Sequence, residues 1–249
     1  MDTYGIIGCP LEHSFSKSFF NQKFADEGID AEYETFEIHS IESLIEVLDS
    51  TPTLRGLNVT IPYKEKVISY IDILSPEARE IGAVNVVKVT HKDGKTVLKG
   101  YNTDAAGFTK SIEPLLSPTN TKALVLGTGG ASKAVTYGLR QLGIEPVLVS
   151  RYQRPGTTRY QDITPEVVHE YNVIVNCTPC GMYPHVDECP ALPYDALDNT
   201  NILYDLVYNP DQTLFMKRGA ARGATVKNGL EMLLLQAQLS WEIWSDDKA

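Results

Sequence analysis

The chain has 249 residues, a net charge of −10, 43% hydrophobic residues and 22% charged ones. The acidic balance argues against a nucleic-acid surface, which needs an excess of Lys and Arg, and no apolar run reaches membrane-spanning length. The length allows two modest domains, each with its own core.

From the start, Tyr4 to Gly8 reads as a short apolar strand ended by Cys9-Pro10. The polar turn that follows carries two hydroxyls two residues apart, Ser14 and Ser16. Either is suited to cap the next helix, expected from about Lys17 to Glu27 with Phe19, Phe20 and Phe24 inward. Glu32 to Ile38 alternates like a strand, Ile41 to Leu48 like an amphipathic helix, and Arg55 to Thr60 like a strand again, a βαβ rhythm. Asn58 and Thr60 fall at the carboxyl end of that last strand. Lys64 follows Pro62, at the mouth where open α/β sheets bind ligands. A helix is expected from Lys64 to Tyr70, and a second opens at Ser75-Pro76 with a capping serine and a first-turn proline. Val84 to Thr90 and Thr96 to Tyr101 flank an Asp-Gly turn and read as a hairpin. Asp104 then stands at a helix start, where a cap and a functional carboxylate look alike.

Ser117 to Asn120 reads as the loop into a second βα layer. Ala123 to Leu126 suits a buried parallel strand, Gly127-Thr128-Gly129-Gly130 a turn, and Ala131 to Leu142 a helix. This order suits a pyrophosphate. Backbone N–H groups and the positive end of the helix dipole face the anion, and glycine removes the Cβ atoms that would hold it off. A glycine turn kept for packing alone would look similar, and Ser132 occupies the usual third-glycine position. The next strand, Pro146 to Ser150, ends in Ser150-Arg151 with Arg154 three residues on, where an NAD site would carry an acid. A guanidinium there points to the 2′-phosphate of NADP. Strands are expected at Val173 to Val175, Ile202 to Val207 and Ala224 to Val226. A strongly apolar helix is expected from Leu230 to Trp244, with Gln236 as its polar exception.

The cysteines are Cys9, Cys177, Cys180 and Cys189. Cys177 and Cys180 have the spacing of a redox or metal pair, yet lack a second pair or a well-spaced histidine cluster. They are read as ordinary thiols, with no metal. Met1 to Ile7 shows neither a basic leader nor a cleavage-type site, so a cytoplasmic protein is expected.

Several separated segments together resemble the shikimate 5-dehydrogenase (shikimate/quinate dehydrogenase) family, over nearly the whole chain. They are Gly8-x-Pro10-x-x-His13-Ser14-x-Ser16, Asn58-Val59-Thr60-Ile61-Pro62-Tyr63-Lys64, Gly82-Ala83-Val84-Asn85, Asn102-Thr103-Asp104, Gly127-x-Gly129-Gly130-Ala131, Asn176-x-Thr178-Pro179-x-Gly181-Met182 and Tyr208-Asn209-Pro210. The resemblance implies an α/β fold of two parts. An N-terminal α/β substrate domain would span 1–102 and be completed by the returning C-terminal helix, 230–249. A Rossmann-like NADP-binding domain would span 103–229.

It also implies roles. Ser14 and Ser16 would hold the substrate carboxylate, with Tyr208 close by, while Asn58, Thr60, Asn85 and Gln236 would line the ring hydroxyls. Lys64 and Asp104 would be the catalytic pair. Gly127, Gly129, Gly130 and Ala131 would cradle the pyrophosphate, Ser150, Arg151 and Arg154 would meet the 2′-phosphate, and Thr178, Met182 and the Gly229 backbone would complete the cofactor site. The expected reaction is NADPH-dependent reduction of 3-dehydroshikimate to shikimate, by a monomer or homodimer. Alternatives are a quinate/shikimate dehydrogenase or related polyol reductase, and a catalytically silent metabolite-binding regulator. The sequence departs from the family at Lys17, where proline is usual, at Cys9, where asparagine is common, and in a shortened span from Arg151 to Asn172.

Overall fold

A computed structural model of the chain describes residues 1–11, 15–92 and 94–246. It divides into two compact units, Met1–Thr103 with Ala237–Ala249, and Asp104–Gln236.

The first unit contains β1 (Asp2–Gly8), α1 (Phe15–Glu27), β2 (Ala31–Glu37), α2 (Leu44–Ser50), β3 (Leu54–Val59), β4 (Ile73–Leu74), α3 (Pro76–Ile81), β5 (Val86–Lys92) and β6 (Lys95–Tyr101). Their sheet runs β2-β1-β3-β5-β6-β4. The first three strands are mutually parallel, and β5 pairs antiparallel to both β3 and β6. Ser75 caps α3 by accepting the Ala78 N–H, and Gly82 closes that helix at φ 68°, a left-handed turn that glycine adopts without strain. On one face of the sheet Tyr4, Phe20, Phe24, Tyr33 and Trp244 pack together. Trp244 donates its indole N–H to the Val87 carbonyl at 3.0 Å. A Cβ at Gly56 would lie 2.4 Å from that indole nitrogen, so the bare strand at this point makes room for the ring. Truncating an aromatic in such a core costs about 3–5 kcal/mol.

The second unit contains α4 (Asp104–Ile112), β7 (Lys122–Leu126), α5 (Gly130–Gln141), β8 (Glu145–Ser150), β9 (Thr157–Arg159), α6 (Pro165–Glu170), β10 (Val173–Asn176), β11 (Ile202–Asp205), α7 (Leu214–Ala220), β12 (Thr225–Lys227) and the first half of α8 (Leu230–Ser245). Its sheet is parallel throughout, in the order β12-β11-β10-β7-β8-β9. Numbered within this unit, the order is 6-5-4-1-2-3, the doubly wound Rossmann arrangement, and it reverses direction between β7 and β10. Core residues on both faces explain the unbroken apolar strands Val173 to Val175 and Ala123 to Leu126.

Several local expectations are corrected. Ser16 lies inside α1 and is buried rather than capping it. The segment expected to be helical from Lys64 is a turn, followed by a 3₁₀ helix over Lys66–Tyr70. The short β4, β9 and α7 were not expected, because two or three strand residues, or seven helical ones carrying Lys217, Arg218 and Gly219, show too little periodicity. The shortened span after Arg151 still forms a helix, α6, six residues long and opened by Pro165. The boundary between the two units falls within α8, after Gln236.

Candidate active site

In the first unit the candidate substrate residues gather at the carboxyl ends of β1 and β3. The Thr60 N–H donates to Ile7 O at 3.0 Å, which locks the residue after β3 onto the end of β1. A Cβ on Gly8 would come within 2.4 Å of the Thr60 methyl group, so glycine at position 8 lets Thr60 sit against the strand. Asn58, buried, engages both ends of its amide: Tyr33 Oη donates to its Oδ1 at 2.6 Å, and its Nδ2 donates to Ser240 Oγ at 3.2 Å. Ser16 also hydrogen-bonds the Tyr33 hydroxyl, and burial pushes the Tyr33 pKa well up, which keeps it a proton donor.

The chain of contacts continues. Ser240 Oγ and Thr103 Oγ1 lie 3.4 Å apart; Asn85 Nδ2 donates to Thr103 Oγ1 at 3.0 Å, and Asn85 Oδ1 accepts the Thr103 N–H at 2.7 Å. Ser16, Asn58 and Asn85 are thereby joined through Tyr33, Ser240 and Thr103. Buried amides held from both ends do not rotate to suit water, so they present a fixed pattern. Lys64 is half-buried in the turn after Pro62, and its carbonyl accepts the Val84 N–H at 2.7 Å, tying it to the segment that leads to Asn85. Ser14 lies outside the described residues. Lys17 forms an ion pair with Glu34 on β2 at 2.8 Å, so the residue at the family's proline position ties α1 to the sheet edge.

In the second unit the glycine turn stands where the sheet order reverses. Gly127 has φ +114°, a conformation that side chains rarely adopt, and a Cβ there would meet Thr178 Cγ2 at 3.1 Å. Gly129 is the N-cap of α5, and the space over its missing Cβ is open within 4 Å. Gly130 and Ala131 begin the helix. Ser132 takes the third-glycine position, buried, and returns its hydroxyl to Gly129 O at 2.6 Å. The Gly127 N–H donates to Val149 O, so the turn adjoins the end of β8. There Ser150 is buried and accepts the Tyr152 N–H, while Arg151 and Arg154 are exposed. Arg154 Nη1 reaches Thr128 Oγ1 at 3.2 Å, which puts its guanidinium beside the turn despite the shortened loop.

The loops after β10 and β11 form the other wall. Asn176 Oδ1 accepts both the N–H and the hydroxyl of Thr178, and Asn176 Nδ2 donates to Asp205 Oδ1 at 2.9 Å. Asp205, fully buried, also accepts from the Val207 N–H at 3.0 Å and the Thr213 hydroxyl at 2.7 Å. Burial pushes its carboxyl up to about 6, with the three donated bonds pulling against that rise. The Tyr183 N–H donates to Asn209 O, joining the loop that carries Met182, exposed, to the one that carries Tyr208, also partly exposed. Gly229 presses on the backbone of Leu206, its N–H donating to Val207 O at 3.3 Å. Asp104, the first residue of α4, is buried, as is Gln236, which donates to Leu233 O. Cys177 and Cys180 are both half-buried, and loss of solvent pushes the pKa of Cys177 well up and raises that of Cys180. Such thiols resist becoming the thiolates that redox and metal chemistry need.

The pattern that defines the shikimate dehydrogenase substrate binding domain matches residues 6–87. The chain is 40% identical to the NADP(+) shikimate dehydrogenase of Clostridium beijerinckii, over 99% of this chain and 93% of that protein. It belongs to the shikimate dehydrogenase family. The crystal structure of shikimate dehydrogenase from Aquifex aeolicus superposes with a TM-score of 0.86 at 34% identity, covering 98% of this chain and 92% of that one. The Thermus thermophilus shikimate 5-dehydrogenase, solved with NADP(H) and shikimate, gives 0.85 at 32% identity, covering 98% and 94%.

For a member of this family the second unit fits NADP. The turn that a Cβ would obstruct at Gly127, the exposed amide end of α5 and two guanidinium groups beyond β8 suit, in turn, a pyrophosphate and an additional phosphate. Sequence reasoning missed the residues that hold this shikimate dehydrogenase fold's polar groups in place. Thr103 stands inside the Asn102-Thr103-Asp104 segment but without an assigned role, and Tyr33 and Ser240 in the same unit, with Asp205 and Thr213 in the other, carry no motif. Only buried hydroxyls and carboxylates within otherwise apolar strands and helices hint at them. No helix among the described residues is long and apolar enough to cross a membrane.

Proposed function

We propose that this chain catalyses the reversible NADPH-dependent reduction of 3-dehydroshikimate to shikimate, in the cytoplasm, as a monomer or homodimer. The observation that carries the reading is the near-full-length relationship to NADP(+) shikimate dehydrogenases. Ser14 and Ser16 take the carboxylate, with Tyr208 contributing, and Asn58, Thr60, Asn85 and Gln236 read the ring hydroxyls. Ser16, a small side chain, leaves the carboxylate end matched to shikimate. Gly127, Gly129, Gly130 and Ala131 receive the pyrophosphate. Ser150, Arg151 and Arg154 receive the 2′-phosphate, and Thr178, Met182 and the Gly229 backbone border the nicotinamide end.

When bound, NADPH supplies the hydride that the ring ketone accepts. Lys64 does the protein's share of the chemistry. As negative charge grows on the ketone oxygen, an ammonium stabilises it and donates a proton from Nζ, and in the oxidising direction the neutral amine takes the hydroxyl proton. Asp104 acts with Lys64, orienting the ammonium and the substrate hydroxyl so that the proton has a short path. The Tyr33–Asn58–Ser240–Thr103–Asn85 chain keeps the hydroxyl-reading amides in one orientation.

Lys64→Ala is expected to lower kcat by about 10²- to 10⁴-fold while shikimate binding changes only a few-fold. Steady-state oxidation of shikimate, and of quinate, with NADP and with NAD, measures the reading directly. Retention of most activity in the variant removes Lys64 from the chemistry, and absence of any shikimate oxidation by the wild-type chain removes the activity itself.

A further inference from the structure

Apart from every residue assigned above, three side chains of metal-ligating type meet at the carboxyl end of the β1/β2 pair. Parallel register sets Gly8 opposite Glu37, so Cys9, one residue past β1, and His39, two past β2, leave the sheet side by side. Cys9 Sγ lies 3.3 Å from His39 Nδ1 and 4.0 Å from Glu37 Oε1. The three ligand atoms all lie within 4.8 Å of one another. For a tetrahedral ion, bonds of about 2.3 Å to sulfur and about 2.0–2.1 Å to nitrogen or oxygen place neighbouring donor atoms roughly 3.5 Å apart. The sulfur–nitrogen spacing is already near that edge length, and the two spacings to the carboxylate oxygen must shorten from 4.0 Å and from a distance within 4.8 Å as an ion draws the ligands in.

The backbone beneath each ligand is fixed. Glu37 Oε2 accepts the Leu11 N–H at 2.8 Å, which turns Oε1 toward Cys9. The Cys9 N–H donates to Ile61 O at 3.1 Å and the Ile38 N–H to Gly8 O at 3.2 Å. Tyr63 Oη donates to Ile38 O at 2.7 Å, between the two ligands on the second strand. Outer contacts of this kind orient ligands and raise affinity. Glu37 and His39 are exposed and Cys9 is half-buried, so an ion enters from solvent.

We propose that Cys9, Glu37 and His39 form a three-ligand site for Zn²⁺ or a similar borderline divalent cation, with the fourth position taken by water. On binding, the Cys9 thiol releases its proton to solvent as the metal–sulfur bond forms, with no change of oxidation state. The competing account is a neutral thiol hydrogen-bonded to an imidazole and a carboxylate. Only a metal site predicts a thiolate bound to the ion.

Titration of the full chain with Co²⁺ is expected to give one equivalent with a thiolate-to-cobalt charge-transfer band, displaced by Zn²⁺. Cys9→Ser is expected to abolish the band, and His39→Ala and Glu37→Gln to weaken binding at least about tenfold. No band, or a band that survives in Cys9→Ser, overturns the proposal, the latter because it reports Cys177, Cys180 or Cys189. A second measurement avoids any folding defect of the variants. In the wild-type chain, Zn²⁺ is expected to slow alkylation of Cys9 at least tenfold, located by peptide mass, and equal rates with and without Zn²⁺ overturn the site.

Discussion

The first unit holds its candidate substrate groups with side chains: Tyr33 and Ser240 grip Asn58, and Thr103 grips Asn85, all buried. The second builds its candidate cofactor turn by leaving side chains out, at Gly127, Gly129 and Gly130, with a helix amide end behind them and arginines at the rim. The difference suits the ligands proposed for the two surfaces. A polyhydroxylated ring is told from its isomers by the direction of each hydrogen bond, so the groups that read it must not turn. A pyrophosphate needs field and close backbone approach, which any side chain would obstruct. The first surface therefore fails when an atom is removed and the second when one is added.

The largest effect is expected from an addition. In Gly229→Ala the new Cβ would stand 2.2 Å from Leu206 O and 2.7 Å from Leu206 C, both backbone atoms that cannot swing aside. A forced backbone shift in packed structure costs about 3 kcal/mol or more, which lowers Tm by roughly 10 °C in a chain of this size. Thermal unfolding measures it, and an unchanged Tm would show that the strand-to-helix junction yields freely.

Next comes Asp205, where the second unit borrows the first unit's method. Asp205→Asn keeps one oxygen for Asn176 Nδ2 and the Val207 N–H but turns its NH₂ toward the Thr213 hydroxyl, which donates in the wild type, at an expected cost of about 1–2 kcal/mol near neutral pH. The pH dependence has a definite sign. Burial raises this carboxyl from 3.8 to about 6, so the folded chain holds the proton more tightly than the unfolded one. The contribution is therefore fully present below pH 3.8, falls as pH rises toward 6, and is level above, by about 3 kcal/mol in all. Urea unfolding of both proteins between about pH 4 and 7 checks it. If the wild type shows no more downward slope than Asp205→Asn, the carboxyl titrates normally.

Removal of one oxygen tests the first unit. Tyr33→Phe leaves Asn58 Oδ1 without its buried donor, expected to cost about 1–2 kcal/mol. Because Asn58 then gains freedom to turn, KM for shikimate is expected to rise several-fold while NADP affinity stays the same. Equal losses for both ligands would mean that the network supports the whole fold rather than the substrate side.

These two surfaces were unequally legible in the sequence. The glycine turn is local: strand, turn and helix occupy one continuous stretch, and hydrophobic period and residue type reveal it. The Rossmann strand order follows from repeated strand–helix alternation, which the short α6 and α7 blurred but did not erase. The side-chain network is assembled from positions 16, 33, 58, 85, 103 and 240, which only the folded sheet brings together, and Tyr33 reads as one more core aromatic. Ser16 misled for the opposite reason, since a serine near a helix start fits the capping rule although its hydroxyl turns inward to Tyr33. The Cys9, Glu37 and His39 cluster was hidden likewise, because strand register rather than spacing creates it.

The smallest expected effect separates field from contact at the cofactor rim. Arg151 and Arg154 are both exposed, and Arg154 is already tethered to Thr128 beside the turn, whereas Arg151 lies with its guanidinium 5.9 Å from the Tyr152 ring centre. An exposed charge against a phosphate is screened by water and salt, so Arg151→Ala is expected to weaken NADP by about five- to tenfold, roughly 1 kcal/mol. NAD lacks the 2′-phosphate, and its affinity is expected to stay within twofold. The loss should also shrink as salt is raised, because a screened charge contributes less at a shorter Debye length. Titrating wild type and variant with each dinucleotide at low and high salt distinguishes the cases. Parallel loss of NADP and NAD would mean that Arg151 shapes the turn rather than reading the phosphate, and a salt-independent loss would place its guanidinium in a desolvated bidentate contact instead of at the rim.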